Sequence, residues 1–131
     1  MNIEYLDTLP EVPNKYGFDL MDGEKAVFVT EIPVFGNDKD RVLGSDCKFT
    51  LTNKRILINN GPGIWSNDIA EEIASCNKVV SKFLFMKSVY FSVTLNKEED
   101  YDYGRQKLSG FHYYFKNSDI DKFEEIMNHV F

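Results

Sequence analysis

Basic side chains that suit an anionic ligand lie in two short segments of the chain. Lys54 and Arg55 are adjacent in the run LTNKR, and Lys39 and Arg41 alternate with aspartates in a polar stretch. Ammonium and guanidinium groups pair with carboxylate and phosphate groups. Interleaved aspartates oppose such binding, and solvated charges contribute little. These four residues are candidate interaction residues, and solvated turn residues are the alternative interpretation.

Trp65 is the only tryptophan and follows the sequence Gly61-Pro62-Gly63. A tryptophan beside a turn can anchor a partner, because large aromatic side chains dominate many interfaces. Packing at the rim of the core is the other interpretation, and we favour it. The glycines lack the spacing of a phosphate-binding loop and indicate a rigid turn. Trp65 therefore joins the candidate interaction residues, whereas the turn does not.

Carboxylate groups are concentrated in residues 98–102, EEDYD. Carboxylates bind hard cations, but this segment lacks the spacing and the glycine of an EF-hand loop. His112 and His129 form no zinc-type cluster with the two cysteines. We therefore expect no metal and no cofactor. Residues 98–102 are interpreted as a solvated loop, in which cation binding is left open.

Cys47 and Cys76 lie in different segments and lack the spacing of a redox or metal motif. We expect them to be buried thiols, with a disulfide or redox role as the alternative. No nucleophile-elbow motif accompanies either histidine. The sequence therefore predicts no catalytic residue, and we expect the protein not to be an enzyme.

Composition and charge exclude several classes of function. The 131 residues suit one domain, and 43 % hydrophobic residues with 15 % aromatic residues suit a packed core. A net charge of −6 argues against binding to nucleic acid and against docking on an anionic membrane by charge alone. The start of the chain lacks the regions of a signal peptide, and no apolar run exceeds four residues, the length of residues 83–86. We therefore expect a cytoplasmic protein.

The clearest element that these patterns predict is a tight hairpin over residues 49–59, FTLTNKRILIN. Apolar residues alternate with polar ones before Asn53-Lys54, and the strand after this pair is apolar on both faces. Asn53 tolerates the left-handed conformation that two-residue hairpin loops demand. The second strand therefore occupies a central position in a sheet.

The remaining elements follow from periodicity. Residues 1–22 are an irregular leader that packs on the domain, with one short helical turn, and residues 23–131 form that domain. Strands are predicted over residues 24–34, 42–52, 55–59, 64–65, 69–80, 88–95 and 108–115, with a break at 66–68 and an acidic loop at 96–104. Residues 68–74 are ambiguous, and we favour a strand over a helix. Pro33 indicates an edge or a bulge.

The last segment changes to helical periodicity. Apolar residues recur at 120, 123, 126, 127 and 130, which predicts an amphipathic helix over residues 118–131 that packs on the sheet. Ser118 is the predicted N-cap, with Asp121 as its capping-box partner.

Seven short strands, one C-terminal helix and the phrases LTNKRILI and IWSNDI together resemble bacterial PH-like and GRAM-like domains. The resemblance covers residues 24–131 and implies a mainly β (α+β) pleckstrin-homology (PH)-like antiparallel β-barrel of about seven strands. PH domains that bind phosphoinositides carry several basic residues around the first hairpin loop. That loop here holds Lys39 and Arg41 among aspartates, so the resemblance does not carry over an anion site.

We expect a non-catalytic module for protein interaction or self-association, because such a barrel offers edge strands and a groove beside its helix. A homo-oligomer fits this expectation. The alternative is a small-ligand-binding barrel, a carrier or an enzyme, with an interior pocket. Binding of membrane lipid ranks below both.

Overall fold

The structure is a computed structural model that describes residues 1–101 and 103–131. Most of the chain from residue 26 onwards is extended, in agreement with its alternating apolar pattern. In chain order the elements are a 3-10 helix at Ile3–Thr8, β1 at Ala26–Asn37, β2 at Val42–Thr52, β3 at Arg55–Asn59, β4 at Ile64–Asp68, α1 at Ile69–Glu72, β5 at Ile73–Phe83, β6 at Met86–Tyr101, β7 at Gln106–Tyr114 and α2 at Asn117–Val130. The predicted fold class, mainly β with seven strands and a C-terminal helix, is confirmed.

The seven strands form one antiparallel sheet in the order β4-β3-β2-β1-β7-β6-β5. Strands β1 and β7 meet only between Val34 and Asn37 of β1, so this short seam joins two groups of strands that are neighbours in sequence. Pro33 lies directly before the seam, where β1 has no hydrogen-bonded strand partner on that side among the residues that the structure describes. Since proline cannot donate a backbone hydrogen bond, this is the edge position that the sequence predicts.

The predicted hairpin is present, with Phe49 opposite Ile58 and Leu51 opposite Ile56. Strand β3 lies between β2 and β4, which confirms its interior position in the sheet. The expectation for Asn53 is wrong, because this residue is not among those with positive φ. Its side-chain oxygen instead accepts the backbone N–H of Lys25 at 2.9 Å, and this bond ties the turn to the chain before β1.

The predicted boundaries are most clearly wrong at four places. Residues 66–68 belong to β4 rather than to a break, and residues 69–72 form α1 rather than a strand. Asp68 explains the helix, because its carboxylate accepts the backbone N–H of Glu71 at 2.9 Å and so caps it. Strand β1 continues past Pro33 to Asn37. Strand β6 continues to Tyr101 through a bulge after Thr94, so most of the predicted acidic loop is extended; Asp102 lies outside the described residues.

Helix α2 packs its apolar stripe against the sheet. Phe123 is fully buried, and its ring lies 4.5 Å from that of Phe115 and 4.8 Å from that of Phe91. The predicted cap is wrong, since Lys116 occupies the N-cap without a side-chain bond. Aromatic rings occupy the space that an interior pocket would need, which removes support from the small-ligand alternative.

The leader packs on the end of α2. Asn2 donates its backbone N–H to the Val130 carbonyl at 2.6 Å, and the ring of Tyr5 stacks on His129 at 4.4 Å.

Cys47 and Cys76 are buried free thiols that form no disulfide with each other, and burial raises the pKa of Cys76 to about 12. Among the described residues, no helix has the length and apolar character needed to cross a bilayer.

Candidate interaction surfaces

Arg55 is part of a buried ion pair rather than of a solvated turn. Its Nε donates to Glu24 at 2.9 Å and its Nη2 donates to the other oxygen at 2.8 Å, while the Glu24 side chain is fully buried. Burial favours the neutral acid, but hydrogen bonds from Arg55 and from the Thr52 hydroxyl hold the pKa of Glu24 below its ordinary value. Arg55 therefore has a structural role, because its guanidinium group neutralises the buried Glu24 carboxylate.

Lys54 follows the solvated interpretation. Its Nζ donates to the Asp22 carbonyl at 3.2 Å in an exposed contact. The predicted pair Lys54 and Arg55 therefore has two separate roles, and the sequence does not separate them because Glu24 lies 31 residues away from Arg55.

Lys39 and Arg41 gain two basic neighbours that the sequence analysis missed. Together with Arg105 and Lys107, which follow β6, they line a surface groove of about 380 Å³. Lys107 pairs with Asp100, which neutralises part of this charge. The groove therefore keeps the positive charges of Lys39, Arg41 and Arg105, which lie in two loops. Such a surface attracts a carboxylate or another anionic group.

Trp65 lies half-buried at the rim of the core, in agreement with the favoured interpretation. Its ring lies 5.2 Å from those of Tyr101 and Phe111, and its Nε1 donates to Asn67 at 2.7 Å. One side of the ring also lines a surface groove of about 320 Å³ with Tyr103, whose side chain is exposed. Trp65 is thus held in place by the fold, with only part of its surface available to a partner.

Two carboxyl groups meet behind Trp65. Asn67 donates to Glu72 at 3.0 Å and to Glu99 at 3.4 Å, which brings the two acids together. Burial and the neighbouring Glu72 carboxylate raise the pKa of Glu99 to about 7, while the pKa of Glu72 is lowered. The pair therefore holds one proton below about pH 7 and releases it as pH rises through that value. Among the described residues, no group of three or more potential ligands could hold a metal ion.

This pair predicts a pH-dependent stability. The folded state retains the Glu99 proton up to about pH 7, whereas the unfolded chain releases it near 4.5, so this stability is full below 4.5 and is lost as pH rises through about 7. We expect unfolding free energy to fall by about 1 kcal/mol across this window, because the carboxyl is partly solvated. Urea denaturation at a series of pH values measures it. Glu99→Gln should flatten the profile, and Glu98→Gln should leave it unchanged; the opposite ranking would contradict the assignment.

Strand β5 forms one edge of the sheet, and in the described chain it pairs with β6 alone. A groove of about 470 Å³ runs between this strand and the last turn of α2. Ala74 and Asn77 line it on the strand side, and Met127 and Phe131 line it on the helix side. The unpaired edge beside apolar side chains suits an added strand. The sequence analysis expected such a groove but named none of these residues.

No protein-family model and no curated protein sequence matches the chain. Among solved structures, the chain is similar to the Vps36 N-terminal PH domain, with a TM-score of 0.61 and 14 % sequence identity over 96 % of this chain and 94 % of that chain. At this identity the likeness shows the fold alone. The antiparallel seven-stranded sheet, the helix that follows it and this likeness together show that the chain has a PH-like fold.

Proposed function

We propose that this chain is a non-catalytic binding module of the bacterial PH-like or GRAM-like kind, which receives a protein segment or a second copy of itself. The observation that carries the proposal is the free edge of β5 beside the α2 groove. The unpaired backbone groups of an edge strand pair readily with another extended segment.

The groove would give the module specificity for the sequence of its partner, which the backbone of an edge strand alone cannot provide. Main-chain hydrogen bonds to β5 would provide affinity without regard to sequence, and alternate side chains of an added strand would enter the groove. Phe131, which is 38 % exposed, offers apolar contact there beside the buried Met127, while Asn77 and Asn128 offer hydrogen bonds. A segment with alternating apolar and polar residues is therefore the expected partner.

Light scattering after size exclusion, over a range of protein concentrations, tests self-association. We expect a concentration-dependent dimer that Ala74→Arg abolishes, because an exposed Ala74 lines the groove and a long charged side chain would fill it. Ser45→Arg is the matched control, since Ser45 is exposed on β2. A pull-down with the same variants covers a different protein partner. Two results together would contradict the proposal. The protein would be monomeric at every concentration, and Ala74→Arg would not change the set of proteins captured in the pull-down.

A further inference from the structure

The turn between β5 and β6 exposes four consecutive apolar side chains, here named the hairpin tip. Phe83 is 73 % exposed, Leu84 83 %, Phe85 105 % and Met86 76 %. A single exposed apolar residue is ordinary, but a contiguous apolar patch on a soluble surface marks an interaction site.

The backbone of the hairpin tip adds a second observation. Phe83 pairs with Met86, so Leu84 and Phe85 form a two-residue loop, and Leu84 has a φ of 55°. Glycine, asparagine and aspartate occupy such loop positions at low cost, whereas leucine is strained there. The sequence therefore keeps an apolar side chain where a small or polar residue would stabilise the hairpin. The fold does not explain this choice, since Leu84 packs against almost nothing.

Two lysines, Lys82 and Lys87, lie directly behind the hairpin tip and are here named the collar. Lys82 and Lys87 face each other across the two strands, and residues 77–88 contain three lysines and no acidic residue although the chain carries a net charge of −6. Lys78 pairs with Glu124 of α2 at 2.9 Å, and Lys87 shares a groove with Asp121. Neither Lys82 nor Lys87 forms an ion pair among the described residues, so the uncompensated charge near the hairpin tip rests on these two lysines.

The order of these groups fits a bilayer better than a protein surface. Lys82 and Lys87 lie two residues behind the loop, or about 7 Å along the strands. Amphipathic elements bury their apolar side chains about 5–10 Å into the boundary between headgroups and acyl chains, with lysines at the phosphates. A convex tip of four side chains also offers less contact than the ~800 Å² per partner of a stable protein interface.

We propose that the hairpin tip inserts into the interfacial layer of an anionic lipid bilayer, with Lys82 and Lys87 at the level of the phosphates. The expectation against docking by charge alone still holds, because the net charge of −6 opposes approach to such a membrane. Apolar insertion supplies the contact that charge does not. The surface is separate from the β5 edge groove, so the inference goes beyond the proposed function.

Cosedimentation with vesicles of phosphatidylcholine and about 30 % phosphatidylserine tests the proposal. We expect wild-type protein to bind at low salt, and the double variant Leu84→Gly/Phe85→Asn to bind at least roughly tenfold more weakly. Glycine fits the positive φ of Leu84, so this variant should be as stable as wild type or more stable. Loss of binding therefore cannot be attributed to unfolding.

The variant Lys82→Gln/Lys87→Gln tests the collar. Its binding should be weaker than that of wild type on anionic vesicles and equal to it on pure phosphatidylcholine. Added salt should reduce the difference in binding between wild type and this variant on anionic vesicles. Absence of wild-type binding at low salt, or equal binding by the tip variant, would overturn the proposal. So would a lipid-free dimer that the tip variant alone disrupts, since that outcome assigns the tip to a second copy. Ala74→Arg should leave vesicle binding unchanged, because Ala74 lies in the groove between β5 and α2 rather than at the hairpin tip. The vesicle test is therefore separate from the test of self-association.

Discussion

Replacement of Arg55 by alanine is expected to lower the free energy of unfolding by about 3 kcal/mol. The substitution leaves Glu24 buried without the two hydrogen bonds that its carboxylate accepts from the guanidinium group. It also removes the bond from Nη2 to the Asp19 carbonyl at 2.8 Å, which holds the leader beside the hairpin. An unpaired buried charge is far more costly than the loss of a solvated ion pair. Urea denaturation monitored by circular dichroism measures the loss.

Lys54→Ala is the matched control, because it removes the adjacent cation from an exposed contact. Its expected cost is below about 0.5 kcal/mol. Comparable costs for the two substitutions would show that the Arg55 ion pair is not buried in solution. Acid provides an independent check: since the folded state holds the pKa of Glu24 below its ordinary 4.5, the stability from this pair is present above that value and is lost as pH falls further. The interpretation of Arg55 as a solvated turn residue predicts little loss of stability, whereas its buried ion pair predicts the larger loss.

Gly110→Ala is the second substitution for which we expect a large effect, a loss of about 3 kcal/mol. A Cβ at this position would overlap the Val93 carbonyl oxygen. That oxygen belongs to the backbone of β6, so relief requires the two strands to move apart beside the bulge after Thr94. The close approach of the Val93 carbonyl therefore explains why a glycine occupies this position.

Gly63→Ala provides the control for backbone entropy, because a Cβ there meets nothing within 4 Å and Gly63 does not have a positive φ. Alanine at Gly63 should leave thermal stability unchanged or raise it slightly. If both alanine variants melted at the wild-type temperature, close packing of β6 on β7 at Gly110 would be disproved.

Local pattern was enough to predict the elements whose causes are local. The β2–β3 hairpin follows from the alternation before Asn53 and the apolar strand after it, and the apolar stripe of α2 follows from helical spacing. The α1 turn was missed because Ile69 and Ile73 fit both periods, and the decisive contact is one cap bond from Asp68. The sequence also does not show which distant residue a charged side chain will pair with.

The candidate sites show the same limit. Burial of the Arg55 pair depends on Glu24, and the groove of Lys39 and Arg41 depends on the loop after β6. Both are set by the register of strands that are far apart in sequence. The apolar run at residues 83–86 was visible, but its exposure follows only from the length of the β5–β6 hairpin beyond α2.

The short seam between β1 and β7 has a consequence for motion. Each group of strands, β1 to β4 and β5 to β7, is assembled from neighbours in sequence, and four residue pairs join the groups across the seam. Where few backbone bonds hold two such groups, local opening requires less free energy than global unfolding. The seam and α2 therefore determine how often the two groups separate, and we expect amide protons near Val34 and Tyr114 to exchange with solvent before those at the centre of β2.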